Sequence, residues 1–85
     1  MRVIFHGNFR KKFGKLSVAI QEKFRERLTF FLRNTRDPIL NNHSVGKAFP
    51  GCRSINVTGD YRAIFREEGE AVIFITIGTH ADLYD

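Results

Sequence analysis

Ala71-Val72-Ile73-Phe74-Ile75-Thr76-Ile77 is a near-continuous run of β-branched and aromatic residues. Such a run is typical of a central strand that other elements cover on both sides. It is also the longest largely apolar run in the chain, and it falls far short of the roughly 18 to 20 residues that a membrane helix needs. We therefore expect a buried strand at residues 71–77 and no membrane span.

The residues before this run predict further strands. Ser54-Ile55-Asn56-Val57 alternates polar with apolar residues, and Thr58-Gly59-Asp60 favours a turn. Residues 61–66 continue with strand-like composition, and a second turn is expected around Gly69. Together these segments predict an antiparallel β-meander.

The N-terminal half has helical periodicity after a short strand at residues 2–5. Asn8 is a candidate N-cap for a first helix, Ser17 is a good N-cap for a second, and Pro38 ends the second. The apolar stripes of the two helices are Phe9, Phe13 and Leu16, then Ile20, Phe24, Leu28 and Phe31. The predicted fold class is α+β: an N-terminal strand, a two-helix antiparallel hairpin, and an antiparallel β-meander that forms one curved sheet.

Length and composition limit the organisation of the chain. At 85 residues it can bury only about two-thirds of its unfolded surface, so we expect one domain over residues 1–85. The single Cys52 permits no internal disulfide, and the first residues lack a long apolar secretory stretch. A cytoplasmic location is therefore expected.

The net charge of +5 indicates an anionic partner, either nucleic acid or an acidic protein segment. A basic surface that serves only solubility explains the same charge. The histidines and Cys52 lack metal-ligand spacing, so the sequence predicts no metal site and no cofactor. It also contains neither a glycine-rich phosphate loop nor a G-x-S-x-G motif, which removes support for nucleotide hydrolysis and acyl transfer.

The remaining chemistry lies in polar residues at the ends of predicted strands. Cleavage of RNA by its own 2′-hydroxyl needs a base, an acid and cations for the phosphate, which histidine and arginine supply without a metal. His80 follows the apolar run directly and is expected to be exposed, where it either caps the chain end or takes part in catalysis. The full candidate set is His43, Arg53, Asp60, Tyr61, Arg62, His80 and Tyr84.

Alternation along the predicted strand separates these candidates into two faces. Asp60 and Arg62 share one face and could line a groove, whereas Tyr61 falls on the face that looks like core. Tyr84 is then the freer aromatic residue for stacking on a base. Asp60 also has a purely structural explanation, because Thr-Gly-Asp suits a tight turn.

Three motifs, in this order after two helices, resemble the RelE/ParE superfamily of toxins from bacterial type II toxin-antitoxin modules, and most closely the YafQ-like messenger-RNA interferases. They are Asn42-His43-Ser44-Val45-Gly46, Gly51-Cys52-Arg53-Ser54-Ile55-Asn56-Val57-Thr58-Gly59-Asp60-Tyr61-Arg62 and Ile77-Gly78-Thr79-His80-Ala81-Asp82-Leu83-Tyr84. The resemblance implies a RelE-like fold and a ribosome-dependent endoribonuclease that cuts messenger RNA in the decoding site without a metal, inhibiting translation. It also implies a cognate antitoxin as partner and leaves open further assembly of toxin-antitoxin pairs.

The resemblance also implies roles for single residues. His80 matches the principal acid/base, with His43 and Asp60 as further acid/base or orienting groups. Expected substrate contacts are Arg53 and Arg62 to phosphate, Tyr61 and Tyr84 near the scissile nucleotide, and Asn56 by hydrogen bonding.

The chain departs from the family pattern at two positions. YafQ-like toxins often carry histidine where Asn56 stands and a basic residue where Thr76 stands, and Asn cannot take up a proton near neutral pH. This departure shifts acid/base work onto His43 and Asp60. The alternative is a ParE-like toxin, which shares the fold and inhibits DNA gyrase without cutting RNA.

Overall fold

The computed structural model describes residues 1–84. A strand and two helices come first: β1 (Arg2–Phe5), α1 (Gly7–Gly14) and α2 (Val18–Arg33). A 3-10 turn at Pro38–Leu40 leads to β2 (His43–Ser44), β3 (Arg53–Asn56), β4 (Tyr61–Glu68), β5 (Ala71–Thr79) and α3 (His80–Tyr84). The predicted α+β order of strand, helix pair and meander is confirmed.

The five strands form one sheet in the order β1-β5-β4-β3-β2. Strands β2 to β5 pair antiparallel, as the meander predicts. Strand β1 lies on the far side of β5 and runs parallel to it, from Arg2 opposite Ala71 to Phe5 opposite Phe74. The sheet is therefore mixed, and β5 is its only strand with one parallel and one antiparallel neighbour among the described residues.

A β-bulge in β5 changes which side chains reach the core. Ile64 pairs with Thr76, but Phe65 pairs with Phe74, so Ile75 is an extra residue in the ladder. The expectation that both faces of this strand are covered was too simple, since Ile73 and Ile75 remain partly exposed. The helices bury one face, and the bulge lets both Phe74 and Ile77 point into it.

The core is built from aromatic rings around Phe74, whose side chain is fully buried. Its ring centroid lies 5.4 to 5.8 Å from five other phenylalanine rings. These rings belong to Phe5 of β1, Phe9 of α1, Phe24 and Phe31 of α2, and Phe65 of β4. Phe74 thus contacts every large element that packs on β5, at geometries that favour aromatic pairs.

Side chains before each helix satisfy free amide groups at the helix start. Ser17 caps α2 as predicted, because its Oγ accepts from the Ile20 amide at 3.3 Å. The prediction for α1 was wrong: His6 is the cap, its Nδ1 accepting from the Asn8 amide at 3.1 Å. A histidine ring nitrogen replaces the usual short polar side chain here, and α1 begins two residues earlier than expected.

No helix within residues 1–84 combines the length and the apolar composition needed to cross a membrane.

Replacing Phe74 by alanine removes the ring that joins these elements and leaves a cavity, so we expect the free energy of unfolding to fall by about 3–5 kcal/mol. Urea denaturation measures it. Leu32, which is 51% exposed on α2, supplies the control, and Leu32→Ala should change stability by less than about 0.5 kcal/mol. Equal losses in the two variants would contradict the central place of Phe74.

Candidate active site

A cleft of about 440 Å³ opens on the sheet face that points away from the phenylalanine core. One wall is formed by β2 and the β2–β3 connection, through His43, Ser44, Val45, Lys47 and Ala48. Ser54 and Arg62 contribute from the sheet, and His80 and Tyr84 come from α3. The alternation of side chains explains this composition, since the neighbours of Ser54 and Arg62 in sequence, Ile55 and Ala63, are buried in the core.

Four of the predicted site residues meet in this cleft, namely His43, Arg62, His80 and Tyr84. They come from β2, β4 and α3, so the site depends on the complete sheet. Lys47 adds a second permanent cation to the lining, and among residues 1–84 the lining contains no carboxylate. The cleft is therefore suited to an anionic ligand.

His80 is the first residue of α3 and its side chain is exposed. Its amide donates to the carbonyl oxygen of Asp60 at 3.1 Å, which joins the strand end to the β3–β4 turn. The imidazole packs on the Tyr84 ring, with centroids 4.7 Å apart, and the other side of Tyr84 meets Phe49 at 6.0 Å. The exposed histidine at the strand end is as expected, whereas the helix that carries it was missed.

A reciprocal pair of hydrogen bonds fixes the start of α3. Thr79 Oγ1 accepts from the Asp82 amide at 3.1 Å, and Asp82 Oδ2 accepts from the Thr79 amide at 3.2 Å. This arrangement is a capping box, and its Thr-x-x-Asp pattern at residues 79–82 was readable in the sequence. The pair is called the Thr79–Asp82 box below.

The hydrogen bonds from Thr79 lower the pKa of the Asp82 carboxyl, and the charge of Lys12 on α1 adds to the effect. A carboxyl whose pKa is lower in the folded than in the unfolded chain stabilises the fold above its unfolded pKa. That contribution is lost as the pH falls through the folded-state value. At neutral pH the Asp82 carboxyl is therefore ionised and able to accept the hydrogen bond from the Thr79 amide.

Gly78 allows α3 to fold back onto the end of β5. A Cβ atom at this position would lie 3.1 Å from Asp82 Cβ and 3.5 Å from Leu83 Cδ2. A contact of 3.1 Å is closer than carbon atoms normally make, so a side chain here would push Asp82 and Leu83 outward. Glycine thus permits the close approach.

The remaining cleft residues are held by backbone carbonyl groups. Arg62 Nη1 donates to the carbonyl oxygens of Thr58 at 2.9 Å and Tyr61 at 3.1 Å, which fixes the guanidinium beside the β3–β4 turn. His43 Nδ1 lies 2.7 Å from the carbonyl oxygen of Asn41, so Nδ1 carries a proton and Nε2 is left as the acceptor of a neutral ring.

Four predicted site residues lie outside the cleft lining. Arg53 donates to the side chain of Asn42 at 2.7 Å and to its carbonyl at 3.3 Å, and Tyr61 packs against the core as its parity indicated. Asp60 is exposed in the turn, where its carbonyl holds the His80 amide. Asn56 stands opposite Arg62 in the ladder.

Sequence reasoning missed three features of the cleft face: Lys47, Ser54, and a set of buried oxygen atoms. Ser54 Oγ, Asn56 Oδ1 and Thr76 Oγ1 are buried and have no hydrogen-bond partner within residues 1–84. Ser54 and Thr76 flank Ile64 in one row across three strands. The available sequence signal was the presence of the polar residues Ser54 and Thr76 in otherwise apolar strands. Within the same residues, no group of three or more His, Cys, Asp or Glu is arranged to hold a metal ion.

A family model described as the ParE toxin of the type II toxin-antitoxin system, parDE, matches residues 3–84. The chain therefore belongs to this family of toxins, within the RelE/ParE superfamily that the three motifs predicted. No curated protein sequence matches the chain.

Solved structures show the same fold. YafQ from E. coli strain BL21(DE3) superposes with a TM-score of 0.81 at 23% identity, covering 100% of both chains. A chain of the E. coli DinJ-YafQ toxin-antitoxin complex gives 0.77 at 23% identity, covering 98% of this chain and 96% of that one. The YoeB/ParE toxin from Agrobacterium tumefaciens gives 0.76 at 14% identity, covering 94% and 99%. The predicted YafQ-like architecture is confirmed.

Gly78→Ala tests the close approach of α3 to β5. The added methyl group must push Asp82 and Leu83 outward by a few tenths of an ångström, so we expect altered chemical shifts for His80 and Tyr84 and a less stable fold. The matched control is Gly59→Ala, because a Cβ at Gly59 meets nothing within 4 Å. NMR spectra of the two variants make the comparison, and unchanged His80 and Tyr84 signals in Gly78→Ala would contradict it.

Proposed function

We propose that this toxin is a messenger-RNA interferase, a ribosome-dependent endoribonuclease that blocks translation. The observation that carries the proposal is the presence of two histidines, His43 and His80, in one cleft that also holds Arg62 and Lys47. Two imidazoles and fixed cations are the groups that cleavage by an RNA 2′-hydroxyl requires.

In the proposed reaction the 2′-oxygen of one nucleotide attacks the adjacent phosphorus, and the bond from phosphorus to the 5′-oxygen of the next nucleotide breaks. One imidazole accepts the proton of the 2′-hydroxyl, and the other, protonated, donates a proton to the leaving 5′-oxygen. The products are a 2′,3′-cyclic phosphate and a free 5′-hydroxyl. His43 in the tautomer described above has Nε2 free to accept a proton.

The charge that develops on the phosphate needs fixed donors. Arg62 is suited to this role because two carbonyl groups hold Nη1 and, within residues 1–84, its other nitrogens make no hydrogen bond. Tyr84, supported by Phe49 and His80, offers a ring on which a base can stack. Asn56 is assigned hydrogen bonding beside Arg62, and Asp60 an orienting role beside His80.

We assign Arg53 and Tyr61 to substrate binding through the residues that they hold in place. Arg53 holds Asn42, the residue before His43, and Tyr61 presents its carbonyl to Arg62. We expect the protein to act in the cytoplasm on ribosome-bound messages and to be neutralised by a cognate antitoxin. The DinJ-YafQ complex, in which a protein of this fold is bound by its antitoxin, supports that partner.

A second candidate function is inhibition of DNA gyrase, because the description of the matching family model names the ParE toxin. The two functions make different demands on His80. Proton transfer needs an imidazole at this position, whereas a toxin that inhibits gyrase by binding needs only a surface complementary to gyrase.

His80→Gln removes proton transfer while keeping a polar side chain of similar length. We expect cleavage to fall by roughly 100-fold or more, the usual contribution of a general acid or base. Mapping of transcript 5′ ends after brief induction measures cleavage within translated codons. His6→Asn is the control, since Asn preserves the N-cap of α1 at a histidine outside the cleft, and it should cleave as the wild type does.

Intact messages in cells that express the wild-type chain, together with altered DNA supercoiling, would overturn the interferase proposal and favour gyrase as the target. Undiminished cleavage by a folded His80→Gln protein would instead overturn the role of His80.

A further inference from the structure

The imidazole of His80 has no hydrogen bond of its own within residues 1–84. Its side chain is exposed, and the ring it packs on, Tyr84, belongs to the same short helix. Where the imidazole points therefore follows from where α3 begins and in which direction it runs. His80 is placed by α3 and not by a hydrogen-bonding partner of its imidazole.

A helix as short as α3, which spans His80–Tyr84, does not hold its shape in water without outside support. Four contacts supply it: the Thr79–Asp82 box, the His80 amide bond to Asp60, the close approach over Gly78, and the packing of Tyr84 against Phe49. The box satisfies two amides at the very turn that carries His80.

We propose that Thr79 and Asp82 are positioning residues for His80, because their reciprocal hydrogen bonds hold the first turn of α3, and with it the imidazole, at the cleft. This inference rests on the proposed function, since it gives the position of His80 a role in RNA cleavage. Neither side chain lines the cleft, so neither touches substrate there.

The box consists of two separate hydrogen bonds, because each side chain accepts from the backbone amide of the other residue. Removal of one side chain therefore leaves the second hydrogen bond in place, and removal of both side chains should be the more damaging change. The lowered pKa of Asp82 is consistent with a carboxylate that stays ionised and accepts a hydrogen bond throughout the neutral range. The Thr79 hydrogen bonds and the charge of Lys12 on α1 are the polar and charged influences that lower the pKa of that carboxyl.

The test compares Asp82→Ala and Thr79→Val with the conservative variants Asp82→Asn and Thr79→Ser. Each disruptive variant should lower kcat by roughly tenfold with KM unchanged. A tenfold change in rate corresponds to about the free energy that is lost with a helix N-cap. The conservative variants keep an acceptor oxygen and should recover most of the rate. The Thr79→Val/Asp82→Ala double variant removes both hydrogen bonds and should lose more rate than either single variant.

Asp37→Ala is the matched control. Asp37 also caps a helical turn, its Oδ1 accepting from the Ile39 amide at 3.1 Å, but it does not line the cleft. This variant should cleave at the wild-type rate after a comparable change in stability. Wild-type rates in Asp82→Ala, losses matched by Asp37→Ala, or a double variant that loses no more rate than the single variants would each overturn the inference.

A second readout does not depend on cleavage. NMR contacts between the His80 and Tyr84 rings should weaken in Asp82→Ala and persist in Asp82→Asn and Asp37→Ala. If the wild-type chain cuts no RNA, the proposed function fails while these contacts still decide whether the box positions His80. Unchanged ring contacts in Asp82→Ala would show that it does not.

Discussion

The packing of Phe74 against five other phenylalanine rings is the interaction on which the rest of the structure depends. Those rings come from β1, both long helices and β4, so a single residue in the middle of β5 joins all the layers of the molecule. Aromatic rings bury large apolar areas with defined geometry, and small proteins need such dense contacts because their surface is large relative to their volume. With one face of the sheet anchored in this way, the opposite face is left to form the cleft, to which β3 and β4 contribute Ser54 and Arg62.

The cleft is built almost entirely by backbone constraints. Arg62 is held by two carbonyl groups, His43 by a third, and His80 by a helix that starts where Gly78 and the Thr79–Asp82 box allow it. Backbone placement is precise because it inherits the rigidity of the sheet. It also leaves the functional atoms of these side chains available to a ligand.

The sequence allowed prediction of the elements with a clear period. Helical stripes predicted the helix pair, and polar-apolar alternation with two turns predicted the meander and the inward face of Tyr61. The parallel pairing of β1 with β5 was not predictable, because no local pattern links residues so far apart in the chain. The bulge at Ile75 was not predictable either, because every residue in this run is suited to a strand.

Part of the site was open to closer reading. Arg53 and Asn56 differ by an odd number of positions, so a regular strand cannot present both to one groove. The Thr-x-x-Asp pattern at residues 79–82 indicates a helix start, which was overlooked because α3 is short. No local pattern predicts that His43 and His80 line the same cleft, because their proximity depends on the full strand order.

The pairing of β1 with β5 has a consequence for how the chain acquires its shape during synthesis. Arg2–Phe5 is made first but has no partner until Ala71–Thr79 has left the ribosome, so the sheet closes late and through contacts of long sequence separation. The α1–α2 pair can form earlier from local contacts. A nascent chain that has not yet released residues 71–84 has neither the strand that carries Phe74 nor the histidine at its end. The cleft is therefore completed only after the segment that carries Phe74 and His80 has left the ribosome.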